Sequence, residues 1–240
     1  MAEAWLTIVG MGEDGVAGLG PRSQAALHAA EVIMGPPRHL KHVPETGAAR
    51  ILWPVPFADG LPMLANLRGR RVVVLASGDP FWFGAGAVIA RQFEADEWVS
   101  LPGPACFALA ASALGWPLDQ TACLALHAAP MARLRPHLSP GMRLMATLRD
   151  GDAVADLCGY LAALGFGDSR VHIFERLGAE DARHSAGTAR DLLGDFAHPV
   201  MAAIDVAGDG DTLTRASGQR DDIFDHDGQL TKRPVRAITL

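Results

Sequence analysis

A chain of 240 residues is long enough for one large or two small globular domains. Its composition, 49% hydrophobic and 20% charged, excludes a disordered protein. Its formal net charge of -6 argues against nucleic acid as a partner, because phosphate binding requires a basic surface. Its three cysteines lack zinc-site or disulfide spacing, and no signal-peptide pattern or apolar stretch of roughly 20 residues is present. We therefore expect a cytoplasmic protein with no metal site and no membrane partner.

The first predicted strand, residues 5–9, runs into the glycine-rich stretch GMGEDG at 10–15. The stretch matches the G-x-G-x-x-G fingerprint of dinucleotide-binding enzymes, in which a helix begins inside the motif and an acidic residue ends the next strand. Here Pro21 marks a later helix start, and Glu31 precedes the second strand, 32–34, instead of ending it. We predict a backbone loop at a strand's carboxyl end, and a dinucleotide-dependent oxidoreductase stays open as an alternative function.

A small basic cluster follows the second predicted strand, in the stretch PPRHLKHV at 36–43. Each of its charged residues alone is typical of a solvated turn. As a group beside a binding site, they have the chemistry to receive carboxylates of a substrate.

The longest unbroken apolar run of the first half, at 72–76, predicts a strand buried on both faces. Around it we predict strands at 51–53 and 98–101 and helices at 59–68, 84–94 and 106–114. Three of the strands end in loops that contain glycine, at 10–15, 77–80 and 102–106. Since each of these strands is followed by a helix, we predict a parallel sheet with these loops at one edge, where open α/β sheets bind ligands.

A break at GWPLD, 115–119, is the predicted domain boundary. In the second half we predict strands at 122–126, 142–147, 170–175, 184–187 and 199–206, and helices at 130–137, 152–164 and 188–194. Asp152 is the expected N-cap of the middle helix, with its side chain accepting from free backbone N–H groups. The composition of 208–229, rich in aspartate, predicts a linker, and residues 236–240 resemble the opening of another element.

Four stretches together resemble the tetrapyrrole (corrin and porphyrin) methylases, which are class III enzymes dependent on S-adenosylmethionine: VGMGEDG at 9–15, LASGDPFWFG at 75–84, LPGPACFALAASALGWP at 101–117 and FERLGAEDARH at 174–184. The resemblance implies two α/β domains, a mostly parallel N-terminal sheet and a mixed C-terminal sheet, with the methyl donor in the cleft between them, and a homodimer. By position, it implies donor contacts at Gly10, Met11, Gly12, Glu13, Ser77, Gly78, Asp79, Trp82, Ala105, Cys106, Ala146 and Leu177.

Within this family, the LGWP and ERLG stretches are similar to methylases that act on carbon 5 of a precorrin, of the precorrin-6B or precorrin-7 type, in cobalamin biosynthesis. The substrate carries several carboxylates, for which Arg22, Arg38 and His42 are the candidate ligands. The resemblance leaves the proton-removing catalytic base unknown.

The tail, 224–240, is similar to the junction with a C-terminal methyltransferase and decarboxylase domain in fused members of the family. The expected organisation is an N-terminal domain at 1–115, a second domain at 119–207 and a linker at 208–240 toward that further domain. A non-catalytic tetrapyrrole-binding domain remains the second alternative function.

Overall fold

The first sheet of the computed structural model is built from five parallel strands in the order β3-β2-β4-β1-β5. The structure describes residues 4–213 and 217–239. The strands are β1 (Leu6–Met11), β2 (Val32–Gly35), β3 (Ala49–Leu52), β4 (Val72–Ser77) and β5 (Trp98–Leu101). The parallel arrangement confirms the expected N-terminal sheet, and β4 is buried along Val72–Ala76 because neighbours cover it on both sides and both faces.

Helices cover both faces of this sheet. They are α1 (Pro21–Ala29), α2 (Pro37–Leu40), α3 (Gly60–Ala65), α4 (Gly86–Ala90) and α5 (Cys106–Leu114). Leu27 of α1 and Leu40 of α2 pack with Val9 and Leu75 on one face. Leu64 of α3 and Ile89 of α4 belong to the core cluster of the opposite face. Both α3 and α4 are shorter than the helices predicted at 59–68 and 84–94. A 3₁₀ turn, Phe57–Asp59, precedes α3.

The second sheet has the strand order β6-β7-β10-β8-β9 and mixed direction. Its strands are β6 (Thr121–Ala125), β7 (Arg143–Thr147), β8 (Arg170–Glu175), β9 (Arg183–Thr188) and β10 (Val200–Asp205). The pair β6–β7 is parallel and the pair β7–β10 is antiparallel, which confirms the expected mixed sheet. The helix α6 (Ala153–Ala163) and the 3₁₀ helix Met131–His137 pack on one face through Leu157, Leu161 and Leu134.

Two details of the second half differ from the prediction. Residues 188–194 form no helix: the amides of Asp191 and Leu192 both bond to the carbonyl of Thr188, which closes a single turn that is not continued. Asp152 occupies the N-cap position of α6 but makes no side-chain capping bond there. Instead, Asp150 Oδ1 accepts a hydrogen bond of 3.0 Å from the amide of Ala153. The cap thus comes from two residues earlier in the chain, because the backbone of Asp152 is already helical.

The chain divides into two compact units, Met1–Leu118 with Phe174–Arg183, and Asp119–Ile173 with His184–Leu240. The predicted linker, 208–240, includes residues 214–216 and 240, which lie outside the described residues. Its described part contains the 3₁₀ turn Asp221–Ile223 and the helix α7 (Arg233–Thr239), joined by an ion pair of 2.5 Å between the buried Arg236 and Asp221. No helix within the described ranges has the length and hydropathy required to cross a bilayer.

Candidate functional site

The candidate site lies in the first unit, where the carboxyl ends of the adjacent strands β1 and β4 meet. From β1 the chain passes over β4 to reach β2, and from β4 it passes over β1 to reach β5. The two connections therefore run in opposite directions along the strand order. Because crossovers between parallel strands are right-handed, helices that follow strands in opposite directions cover opposite faces. This is observed for α1 and α4. The edge between β1 and β4 is therefore a topological switch point, the place at which open α/β sheets bind ligands.

Three glycines from three strand ends contact one another through their backbones at this edge. The amide of Gly103 donates to the carbonyl of Gly78 over 3.0 Å, and the amide of Gly78 donates to the carbonyl of Met11 over 2.9 Å. A β-carbon on Gly10 would lie 1.9 Å from the Gly78 oxygen and 2.4 Å from the Gly103 nitrogen. Only residues without a side chain allow this approach, so the predicted meeting of the loops is an observed feature of the structure.

Asp79 shapes the loop that follows β4. Its Oδ1 accepts a hydrogen bond of 2.8 Å from the amide of Phe81, and its carbonyl accepts one of 3.2 Å from the amide of Trp82. This is an Asx turn, in which the carboxylate takes the place of a backbone acceptor. Four residues after Asp79, Phe83 has a φ of 56°, an uncommon conformation for a bulky side chain. The carboxylate therefore turns the chain sharply at the end of the strand.

The turn presents three aromatic side chains, Phe81, Trp82 and Phe83, beside the glycine loops. Each remains between 38% and 48% exposed, which is a large apolar surface for one short segment. Phe81 contacts Trp98 at a centroid distance of 5.6 Å, and Trp82 contacts Phe107 of α5 at 5.5 Å. Phe83 also contacts Phe107, at a centroid distance of 5.9 Å. These contacts hold the three rings in place while each remains partly exposed.

A polar network crosses the same edge and connects the ends of β1, β2 and β4. Arg38 donates from Nη1 to Glu13 and from Nη2 to Ser77. The neighbouring His39 places its Nε2 3.1 Å from the Ser77 hydroxyl oxygen. His39 is 1% exposed, and this burial, together with the charges of Arg38 and His42, lowers its pKa to about 3. The imidazole is therefore neutral at physiological pH.

His39 was not among the predicted site residues, although the basic cluster contained it. The sequence could have indicated His39 only through its position beside Leu40 in the short segment between two strands. The burial of Leu40 brings α2 onto the sheet. The contact with Ser77 spans 38 positions, and local periodicity carries no information at that range.

The other predicted residues of the first unit lie as follows. Met11 is the fully buried last residue of β1, and Gly12 begins the loop behind it. Ala105 is the N-cap of α5, and Cys106 is the first residue of that helix. Arg22 is exposed on α1, and His42 is exposed with its ring against Gly15.

Leu177 lies in the segment Phe174–Arg183, which groups with the first unit. The segment turns sharply after β8, since Arg176 has a φ of 48° and Gly178 a φ of 99°. A β-carbon on Gly178 would lie 3.6 Å from Leu109 of α5, so this turn packs near the helix that follows the Gly103 loop. Ion pairs between Arg176 and Asp181 and between Glu175 and Arg183 stabilise the turn.

Ala146 belongs to the second unit. It is the fully buried second-last residue of β7, where it pairs with Leu124 of β6 and Ala202 of β10. Among the described residues of both units, no group of three or more histidine, cysteine, aspartate or glutamate side chains is arranged to hold a metal ion.

Comparisons with known proteins agree with this architecture. The chain is 42% identical, over 98% of its own length, to the precorrin-6Y C(5,15)-methyltransferase [decarboxylating] of a Sinorhizobium species, and it spans 58% of the length of that relative. It is 34% identical over 98 residues to the cobalt-precorrin-7 C(5)-methyltransferase of Salmonella typhimurium, covering 41% of this chain and 49% of that one. The crystal structure of the cobalamin biosynthesis precorrin-6Y methylase CbiE of Archaeoglobus fulgidus superposes with a TM-score of 0.61 at 25% identity, over 85% of this chain and 98% of that one.

The sequence model of the tetrapyrrole (corrin/porphyrin) methylases matches residues 5–193, which include both sheets up to β9 and the three glycine loops. Because this match covers far more than half of the chain, the chain belongs to the tetrapyrrole (corrin/porphyrin) methylase family.

Proposed function

We propose that the chain transfers a methyl group from S-adenosylmethionine to carbon 5 of a precorrin in cobalamin biosynthesis, with S-adenosylhomocysteine as the second product. The observation that carries this proposal is the contact of Gly10, Gly78 and Gly103 at the switch point of a tetrapyrrole methylase fold. The names of the relatives support carbon 5 of a precorrin as the acceptor.

The residues at the switch point fit a donor that has a polar amino-acid head and a flat base. The loops provide backbone groups close to the strand ends, Ser77 provides an exposed hydroxyl, and the aromatic turn provides apolar surface. We assign donor binding to the strand ends of the first unit, with Ala146 and Leu177 contributing contacts to the adenosine. The full set is Gly10, Met11, Gly12, Glu13, Ser77, Gly78, Asp79, Trp82, Ala105, Cys106, Ala146 and Leu177.

The proposed methyl transfer depends mainly on alignment of the two reactants and little on acid or base catalysis by side chains. When bound, S-adenosylmethionine would supply a methyl group on a positively charged sulfur. An electron-rich ring carbon of the acceptor would attack the methyl carbon in line with the carbon–sulfur bond, which breaks to release S-adenosylhomocysteine as a neutral thioether. Alignment of two reactants in this way can contribute about 7–11 kcal/mol to lowering the barrier. The glycine contacts and the Asp79 turn fix the loops that achieve this alignment.

The acidic substrate needs local positive groups in a chain of net charge -6. We propose that Arg22, Arg38 and His42 meet its carboxylates, and the exposure of Arg22 and His42 supports this role. For Arg38, a substrate carboxylate would compete with Glu13, which already accepts a hydrogen bond from the guanidinium.

The structure argues against a dinucleotide-dependent oxidoreductase. A 3₁₀ turn, Gly15–Gly18, separates the glycine-rich stretch from α1, which begins at Pro21. In a dinucleotide site the helix begins inside the motif, so that its N-terminus meets the pyrophosphate. β2 also ends at Gly35 and not at an acidic residue.

We further propose a larger protein in which residues 1–115 and 119–207 form the two methylase domains and 208–240 lead to a C-terminal methyltransferase and decarboxylase domain. The 58% coverage of the Sinorhizobium relative supports this organisation. We also propose that the protein is a homodimer in the cytoplasm. Sedimentation equilibrium tests whether it is a dimer.

Calorimetric titration with S-adenosylhomocysteine, and with NADH in parallel, tests the proposed function. We expect saturable binding of the former and none of the latter. In the Gly78→Ala variant, the new β-carbon would lie 2.9 Å from the Pro104 oxygen and 3.2 Å from the Ala105 Cα, and we expect affinity to fall at least about tenfold. The matched control is Gly69→Ala, which also has positive φ but has no atom within 4 Å of the new carbon.

Tight NADH binding with no S-adenosylhomocysteine binding would reject the methylase function. A non-catalytic tetrapyrrole-binding domain would bind a precorrin and give no labelled product when the donor carries a radioactive methyl group. Equal losses in the Gly78 and Gly69 variants would show that the glycine contact is not part of the donor site.

A further inference from the structure

Ser77 is the point at which the polar network meets the exposed side of the switch point. Its hydroxyl oxygen accepts from Arg38 Nη2 and lies 3.1 Å from His39 Nε2, while the residue itself is exposed at the end of β4. A serine hydroxyl has one donor and two acceptor positions. With Arg38 donating to the oxygen and His39 Nε2 beside it, the hydroxyl keeps one further hydrogen-bonding position, its proton where Nε2 donates and a lone pair where Nε2 accepts. The exposure of Ser77 leaves that position open to a ligand.

The two side chains of α2 suit this purpose in different ways. The His39 ring is almost completely buried and neutral, so it cannot turn toward solvent to find another partner. The side chain of Arg38 is 30% exposed, and Glu13, whose side chain is 15% exposed, holds its other nitrogen. The charge of Arg38 is thereby compensated within the protein, and its geometry is set from both ends.

We propose that His39 and Arg38 are positioning residues, which orient the Ser77 hydroxyl for a hydrogen bond to the polar head of the methyl donor. The inference rests on the proposed function. It adds His39 to the site and gives Arg38, which is also proposed to meet substrate carboxylates, a second role through Ser77; neither side chain touches the methyl donor in this role.

A double-mutant cycle on the whole chain tests this inference, with the dissociation constant of S-adenosylhomocysteine as the readout. We expect Ser77→Ala and His39→Leu each to weaken binding about tenfold, the effect of losing one hydrogen bond of this kind. If His39 acts through Ser77, the double variant binds no more weakly than Ser77→Ala alone. His39→Gln keeps a polar group near the Nε2 position and is expected to restore affinity to within about threefold of the parent.

The control is His28→Gln on the exposed side of α1, which we expect to leave affinity unchanged. Circular dichroism establishes that each variant is folded. If His39→Leu unfolds, the cycle is carried out with Arg38→Met and Ser77→Ala, for which the same non-additive result is expected.

Additive losses in the cycle, or no loss in the folded His39→Leu or Arg38→Met variants, would overturn the positioning role. Both results presuppose that the parent chain binds S-adenosylhomocysteine. Absence of binding by the parent would reject the proposed function itself, so the two failures are distinguishable.

Discussion

The α-carbon of Gly10 faces the carbonyl oxygen of Gly78 so closely that a β-carbon on Gly10 would lie 1.9 Å from it. Both residues are at the ends of central, adjacent, parallel strands, and the register pairs Gly10 with Ala76 and Met11 with Ser77. The loop after β4 therefore folds back over the end of β1. The absence of a side chain at Gly10 is therefore a requirement of the fold at this point.

Substitution of Gly10 by alanine should therefore lower stability. The new methyl group meets backbone atoms, which cannot move aside as a flexible side chain would, and overpacking of this kind costs about 1–3 kcal/mol. Urea denaturation of Gly10→Ala measures the loss. Gly20→Ala is the matched control, because no atom lies within 4 Å of its new carbon, and equal midpoints for the two variants would contradict the prediction.

Replacement of Asp79 should separate its turn-forming role from its charge. Asp79→Asn keeps an oxygen that can accept from the Phe81 amide, whereas Asp79→Ala loses it. We expect the asparagine variant to bind S-adenosylhomocysteine within about twofold of the parent and the alanine variant about three- to tenfold more weakly. If the asparagine variant binds as weakly as the alanine variant, the negative charge itself is required.

The cap of α6 offers a test in the second unit. Because Asp150 and not Asp152 accepts from the Ala153 amide, Asp150→Ala should lower the midpoint of thermal unfolding. Asp152→Ala, two residues away, should leave the midpoint nearly unchanged. The reverse order would show that Asp152 is the capping side chain in solution.

The buried His39 makes stability depend on pH. Its pKa of about 3 in the folded chain lies below the ordinary value of 6.5, so the unfolded chain binds a proton first as the pH falls. The stabilisation is complete above pH 6.5 and is lost progressively between pH 6.5 and 3. From pH 7.5 to 5, this one group should remove about 2 kcal/mol of unfolding free energy.

Chemical denaturation of the parent and of His39→Gln at both pH values isolates this contribution. The variant lacks the titrating ring, so its stability should fall less over the same interval. Identical pH dependence in the two proteins would show that His39 titrates normally.

The first sheet could be predicted from the sequence because its signals are local. The apolar run at 72–76 indicated β4, and glycines after three strands indicated the loops at one edge. The glycine-to-glycine contacts follow from strand order, which local patterns do not encode. The same is true of the contact between His39 and Ser77, which depends on β2 and β4 being neighbours.

The errors in the second half have local causes too. Asp150 and Asp152 are equally good capping residues by type, and only the backbone conformation at 152 decides between them. At 188–194 a short helix is predicted, but the turn at Thr188 ends after one set of hydrogen bonds. In both places the local backbone geometry decided the outcome, and residue type alone does not reveal it.

The strand order also sets a sequence of events during synthesis. β1 is made first, yet its neighbours in the sheet are β4 and β5, which follow much later in the chain. β1 therefore leaves the ribosome without a partner strand. Its backbone groups can form their sheet hydrogen bonds only after residues 72–77 and then 98–101 have been synthesised. An unpaired strand of this kind invites association between nascent chains. A fragment that ends before residue 72 lacks both strands that pair with β1, whereas one that reaches residue 101 contains every strand of the first sheet.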